Sequence, residues 1–169
     1  MNAVLAAWNQ AGDATARQAM LACCGAARWA AQMVALRPIA DATELSETAD
    51  RVWSTMEELD WLDAFASHPR IGERAATGSQ GQSAAWSKQE QSGTSTANEN
   101  VLTELARGNT LYEERFGFTY IVCATGKSAE EMLAILKRRL AATREDELRE
   151  AAEQQRQIMQ IRLGKWLTQ

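Results

Sequence analysis

The stretch TREDELREAAEQQRQIMQIRLGKW, residues 143–166, decides the fold class. Leu148, Ala151, Ala152, Ile158, Met159 and Trp166 recur within it at three-, four- and seven-residue steps. At roughly 100° per residue these positions line one side of a helix. Thr143 has the chemistry of an N-cap, and the helix is expected to run to about Trp166. Gln155 and Arg162 fall on the same side, about two turns apart. A guanidinium on an apolar stripe snorkels to water, pairs with a carboxylate or faces a ligand. Spacing alone does not choose among the three.

Working back from this helix, the same period recurs. Ser128 and Glu131 have capping-box spacing and open a helix through Met132, Leu133, Leu136 and Leu140. Val101, Leu102, Leu105 and Ala106 predict a helix ending near Gly108. Asp41 and Glu44 form another capping box, ahead of Leu45, Ala49, Val52 and Trp53. A helix over 57–66 places Leu59, Leu62 and Phe65 on an apolar face. Before Pro38, Val4, Leu5 and Trp8 form one pattern, Met20, Leu21, Cys24 and Ala27 a second, and Trp29, Met33 and Leu36 a third. Only FGFTYIVC, residues 116–123, alternates like a strand, through Phe118, Tyr120 and Val122. A lone strand has no ladder partner, so this segment reads as a short extended piece with backbone groups available for another purpose. The expected architecture is all-α: one domain over 1–169, a bundle of about seven to nine helices with one extended segment near 118–123. Abundant alanine and only two prolines agree with it.

With 22 acidic against 18 basic residues, a net charge of -4 and a pI near 5.1, no basic patch invites nucleic acid. No apolar run approaches the ~18 residues that span a bilayer, and the N-terminus lacks the features of a signal peptide. A cytoplasmic location is the expectation. Three cysteines, two of them adjacent, make no disulfide framework. One histidine and no CxxC leave no zinc site, so no metal is expected. Cys123, in an apolar run without a nearby base, reads as an inert buried thiol.

The single histidine lies in FASHPRIGE, residues 65–73. Pro69 halts the preceding helical pattern and pushes His68 out of the α region. A surface turn explains such a histidine, and so does proton transfer, because its ordinary pKa of roughly 6.5 suits exchange near neutral pH. From Arg74 to Asn98 the chain is rich in Gly, Ser, Gln and Thr. Loops of that length inside a domain are often functional. Within it, Ser87 and Glu90 have the spacing of a further capping box. Glu90 also follows Trp86 by four residues, and a carboxylate desolvated by an indole becomes a candidate acid or base.

These pieces, in this order, resemble one family. The matching elements are Ser67-His68-Pro69-Arg70-Ile71-Gly72, Ser87-x-x-Glu90-Gln91 and Tyr112-x3-Phe116-Gly117-Phe118. Ile121-Val122-x-Ala124-x-Gly126-Lys127-Ser128 and Ile158-x3-Arg162-Leu163 follow. The sequence is similar to the decarboxylases of 2-oxo-4-hydroxy-4-carboxy-5-ureidoimidazoline (OHCU), enzymes of urate degradation. The N-terminal third carries none of these blocks. The resemblance implies an all-helical carboxy-lyase without metal or organic cofactor, releasing CO2 and delivering (S)-allantoin. It assigns His68 to proton transfer, Glu90 to acid/base or orienting work beside it, and Arg162 to substrate binding. Pro69, Ser87 and Gln91 fall at substrate-contacting positions. The backbone of Phe118, Ile121, Val122 and Cys123 is expected to hydrogen-bond the planar ring. The implied partner is an anionic small molecule, and the resemblance admits a homodimer. A non-catalytic helical module binding a peptide in an apolar groove is the competing reading. It leaves the spacing of His68, Ser87 and Glu90 without a purpose. A His-Glu hydrolase lacks a nucleophile.

Overall fold

The structure, a computed structural model, describes residues 1–72, 81–95 and 97–169. Part of the polar segment 74–98 therefore lies outside the described residues. Among those described, nine α-helices and one short 3-10 turn are present and no strand, as the periodicities predict. The helices are α1 (Ala3–Gln10), α2 (Asp13–Cys23), α3 (Ala27–Ala35), α4 (Ala42–Trp53) and α5 (Glu58–Phe65). After them come α6 (Gln82–Glu90), α7 (Glu99–Phe116), α8 (Ala129–Arg139) and α9 (Arg144–Trp166).

Side-chain caps start several helices by accepting a hydrogen bond from a backbone N–H that would otherwise be orphaned. Asp41 Oδ1 accepts from Glu44 N at 2.9 Å, Ser128 Oγ from Glu131 N at 3.1 Å and Thr143 Oγ1 from Asp146 N at 3.1 Å. The Asp41 box is a variant, since Glu44 reaches back to the Ala40 N–H rather than to the cap residue. Three expectations change. Ser87 and Glu90 are not a capping box: α6 begins five residues before Ser87, at Gln82, with Gly81 as its N-cap at φ 111°. Leu59 is 81% exposed and falls off the buried side of α5, which Phe65, as expected, carries with Ala64. Helix α7 does not stop at Gly108. A Cβ there would approach Leu136 Cδ2 to 2.5 Å, so glycine serves close packing of α8 against α7. The stop comes at Gly117, with φ 82°, a left-handed C-cap that glycine adopts without a Cβ penalty.

The chain forms two units. Residues Met1–Ala64 with Gln155–Gln169 make the first, and Phe65–Gln154 the second. In the first, α2 packs on α3 and α3 on α4. Leu5, Met20, Trp29, Met33 and Leu45 are fully or almost fully buried there. Trp8 meets Trp166 edge-on at 5.9 Å. Each buried indole needs a hydrogen-bond acceptor: Trp8 Nε1 donates to Ala16 O at 2.9 Å and Trp29 Nε1 to Ala49 O at 3.2 Å.

The second unit is built on α7, α8 and an aromatic cluster in which Tyr112 contacts Phe116, Phe118 and Tyr120. Residues 119–124 are buried or half-buried and neither helical nor strand. Buried backbone outside regular structure must find partners elsewhere, and here long side chains provide them. Arg139 Nη1 donates to Ile121 O at 2.5 Å, and its Nε donates to Glu147 Oε1 at 2.5 Å. The phenol of Tyr112 donates to the same carboxylate at 2.6 Å, and the Tyr120 hydroxyl to Met132 O at 3.0 Å. The guanidinium also lies 4.9 Å from the Tyr120 ring centroid, within cation–π range. Burial works against the Arg139 charge, yet the hydrogen bond and charge of Glu147 outweigh it and hold its pKa above the ordinary value. Burial first, then the bond to Glu147, lifts Tyr112 well above the usual phenol range.

Removing one partner of a buried ion pair strands the other, at about 3–5 kcal/mol, whereas apolar replacement of both is often near neutral. Arg139→Met is therefore expected to lower stability by about that amount in urea denaturation. Arg139→Met with Glu147→Met should lose less than the single variant. A single variant within about 1 kcal/mol of wild type would contradict this account of the pair.

Candidate active site

The second unit holds the motif with the only histidine. Helix α5 ends at Phe65, whose carbonyl accepts from His68 N at 3.1 Å, so His68 leaves the helix in a turn as Pro69 requires. The turn is pinned after the histidine at three successive residues. Arg70 forms a two-pronged ion pair with Glu113 of α7, with Nε to Oε1 at 2.8 Å and Nη2 to Oε2. Ile71 O accepts from the buried Asn109 of α7 at 2.9 Å. Gly72, at φ 81°, donates its N–H to Gln91 Oε1 at 2.9 Å. Arginine suits the first of these contacts because its planar fork matches a carboxylate with two parallel bonds.

Gln91 is the C-cap of α6. The Gly72 bond therefore ties the histidine turn to the end of the helix carrying Ser87 and Glu90. Both of those are buried, at 4% and 8% exposure, on the side of α6 that also buries Trp86. A carboxylate and a hydroxyl inside a helix face are costly unless hydrogen-bonded or matched to a ligand. Phe118, Ile121, Val122 and Cys123 are buried in the same unit. The expected availability of that segment's backbone is revised at Cys123. Its N–H donates to Gln154 Oε1 at 2.8 Å, and its carbonyl accepts from Lys127 Nζ at 2.7 Å. A cleft of about 380 Å³ elsewhere in this unit is lined by Ser92, Gly93, Lys127 and Ser128 among others, and none of the sequence-predicted site residues borders it.

Arg162 belongs to the first unit. At 1% exposure it does not snorkel. One of its contacts is a hydrogen bond from Nη1 to Ala22 O at 3.2 Å. Gln155 is buried completely. Cys23 and Cys24 lie close enough to feel the Arg162 charge. Burial pushes both thiols up to about 12, and the guanidinium only partly offsets this. Among the described residues, no three His, Cys, Asp or Glu side chains gather as a metal site. No described helix is long and apolar enough to cross a membrane.

The family model for OHCU decarboxylase matches residues 9–164. The chain belongs to the OHCU decarboxylase family. The match takes in α2, α3 and α4, where the sequence motifs are silent. Among curated relatives, the uric acid degradation bifunctional protein TTL of Arabidopsis thaliana is 35% identical over 144 residues. That alignment covers 85% of this chain and 44% of the relative, so the chain spans less than half the length of the curated relative it matches. A crystal structure of OHCU decarboxylase in the presence of (S)-allantoin matches with a TM-score of 0.78 at 31% identity. It covers 94% of this chain and all of the other. A crystal structure of (S)-allantoin synthase, 16% identical, shares the fold with a TM-score of 0.67 over 96% of this chain and 53% of its own.

The family motifs carry His68, Ser87, Glu90, Gln91 and Arg162 without naming what supports them. Glu113, Asn109, Gln154 and the Arg139–Glu147 pair escaped the sequence reading. For Arg139 a signal existed: it continues the Met132–Leu136 stripe of α8 at helical spacing.

The thiols give a pH-dependent check. An unfolded cysteine ionises near pH ~8.5, whereas folded Cys23 and Cys24 keep their protons to about 12. Stability from these groups is complete below the unfolded value and falls as pH rises from there towards the folded one. At pH 8, neither Cys23 nor Cys24 should react with a thiol-exchange reagent in the native protein, and both should react in denaturant. Rapid native labelling mapped to either residue by mass spectrometry would contradict their burial.

Proposed function

We propose that this chain, working as a single functional domain, decarboxylates OHCU to (S)-allantoin and CO2 without metal or organic cofactor. The observation that carries the reading is the bond from Gly72 N to Gln91 Oε1. It joins the turn of the only histidine to the helix end that buries Ser87 and Glu90. The likeness to an OHCU decarboxylase solved in the presence of (S)-allantoin supplies the substrate.

The substrate carries a hydroxyl and a carboxylate on one ring carbon, beside a ring C=N. When the bond to CO2 breaks, its electron pair forms a new ring C=C, and the C=N electrons move to nitrogen. The substrate is thus its own electron sink, which removes the need for a cofactor. Loss of the hydroxyl proton and protonation of the neighbouring carbon from one face complete allantoin, with one net proton taken up as the carboxylate leaves. His68 moves a proton in this sequence and Glu90 orients it or shares the acid/base work. Arg162 binds the anionic substrate. Pro69, Ser87 and Gln91 line the ring, as do Phe118 and the backbone of Ile121 and Val122. For Gln91 the Gly72 bond occupies the carbonyl end, so its NH2 group is the end that meets substrate.

The test is the consumption of freshly generated OHCU by wild type and two variants. His68→Asn should fold normally and lose about 10²–10⁴-fold in rate, the usual worth of general acid–base catalysis. More than about a tenth of wild-type rate in that variant would remove His68 from proton transfer.

Arg162→Met separates substrate binding from structure. It should denature at or slightly above the wild-type temperature, while kcat/KM falls at least about ten-fold, a floor set by a charge-assisted contact of roughly 1.5–3 kcal/mol. A large loss of stability with intact kinetics would make Arg162 a structural cation instead.

A further inference from the structure

Three successive peptide groups in the segment after Phe118 are each held by one long side chain. Arg139 donates to the carbonyl of the 121–122 peptide at 2.5 Å. Gln154 accepts from the N–H of the 122–123 peptide at 2.8 Å. Lys127 donates to the carbonyl of the 123–124 peptide at 2.7 Å. The lysine can reach back because residues 124–127 form a turn, closed by Lys127 N to Ala124 O at 3.0 Å, with Gly126 at φ 77°. That conformation at the third position of a turn calls for glycine.

In a planar trans peptide, the C=O and N–H point in opposite directions. These three peptides are trans. Fixing one end of each fixes the other. With Ile121 O turned towards Arg139 of α8, Cys123 N towards Gln154 of α9 and Cys123 O towards Lys127 in the turn before α8, the Val122 N–H, Val122 C=O and Ala124 N–H are directed away from these partners. The side chains act as a substitute for a neighbouring strand along one edge. The other edge presents a donor, an acceptor and a second donor in sequence. A ring amide and ureido group offer the complementary pattern.

We infer that Gln154 and Lys127, together with Arg139, are positioning residues: they aim the backbone of Val122 and Ala124 at the substrate. This rests on the functional reading above, and it moves the backbone contact expected at Cys123 to its two neighbours. Gln154 and Lys127 are half-buried, so truncating them leaves no buried charge behind, unlike truncating Arg139.

The experiment compares Gln154→Leu and Lys127→Met with the conservative Gln154→Glu and Lys127→Arg, in steady-state kinetics on freshly generated OHCU well below every melting temperature. Each truncation should lower kcat/KM about ten-fold, the equivalent of one misdirected hydrogen bond. Each conservative variant, which can still hold its peptide, should recover most of that loss. If one truncation fails to fold, the other still reports on an adjoining peptide. Melting temperatures that drop while kcat/KM stays within about two-fold would make these contacts structural only and overturn the inference. So would losses that the conservative variants do not recover. A wild type inactive on OHCU would instead sink the functional reading itself.

Discussion

A buried chain segment that is neither helix nor strand must have its peptide groups satisfied, and the second unit is arranged around that requirement. The ion pair of Arg139 and Glu147, both almost inaccessible, is central to it. The guanidinium is oriented by the carboxylate through Nε and offers Nη1 to Ile121 O. Tyr112 and Tyr120 enclose it. Desolvating two charges is expensive and gains little net stability over an apolar core. An apolar side chain, however, could not hold a peptide carbonyl. The pair is best understood as the means by which a non-helical segment is kept in one conformation inside a helical unit.

Glycines complete the arrangement where close approach is needed. Gly108 lets Leu136 of α8 lie against α7, and the Gly93 Cα sits so near Lys127 O that a Cβ would approach it to 2.3 Å. The second contact holds the turn after α6 against the residue whose amine grips Cys123. The histidine turn is fastened to α7 by Arg70 and Ile71, and to the end of α6 by Gly72. Four of the five family motifs thus fall in one unit and are joined there by hydrogen bonds. The motif of Arg162 closes the other unit, where the cation is buried beside two thiols that burial keeps protonated.

Helix existence was legible because buried positions on α4, α8 and α9 repeat with a helical period, and caps at Asp41, Ser128 and Thr143 announce their own chemistry. Helix ends were less legible. Gly108 resembles a terminator locally and is an accommodation to Leu136, a contact between distant positions that no local pattern contains. Ser87 has the spacing of a cap, yet α6 had already begun at Gln82. Leu59 matched an apolar period and faces solvent, since period alone does not say which side of a short helix is covered. For the candidate site, family motifs point to His68, Glu90 and Arg162, whereas the residues that brace them are set by tertiary pairing. Two partners of the 118–123 backbone were invisible for the same reason, since Arg139 and Gln154 come from distant places in the chain, whereas Lys127 reaches Cys123 O from only four residues on.

The central claim is that this chain controls the fate of one substrate carbon. In solution, protonation after loss of CO2 can occur from either face and yields racemic allantoin. The direct measurement is the circular dichroism of allantoin formed when freshly generated OHCU meets catalytic amounts of the protein. The account predicts rapid formation of the (S) enantiomer in large excess. Allantoin appearing at the spontaneous rate, or without optical activity, would contradict it.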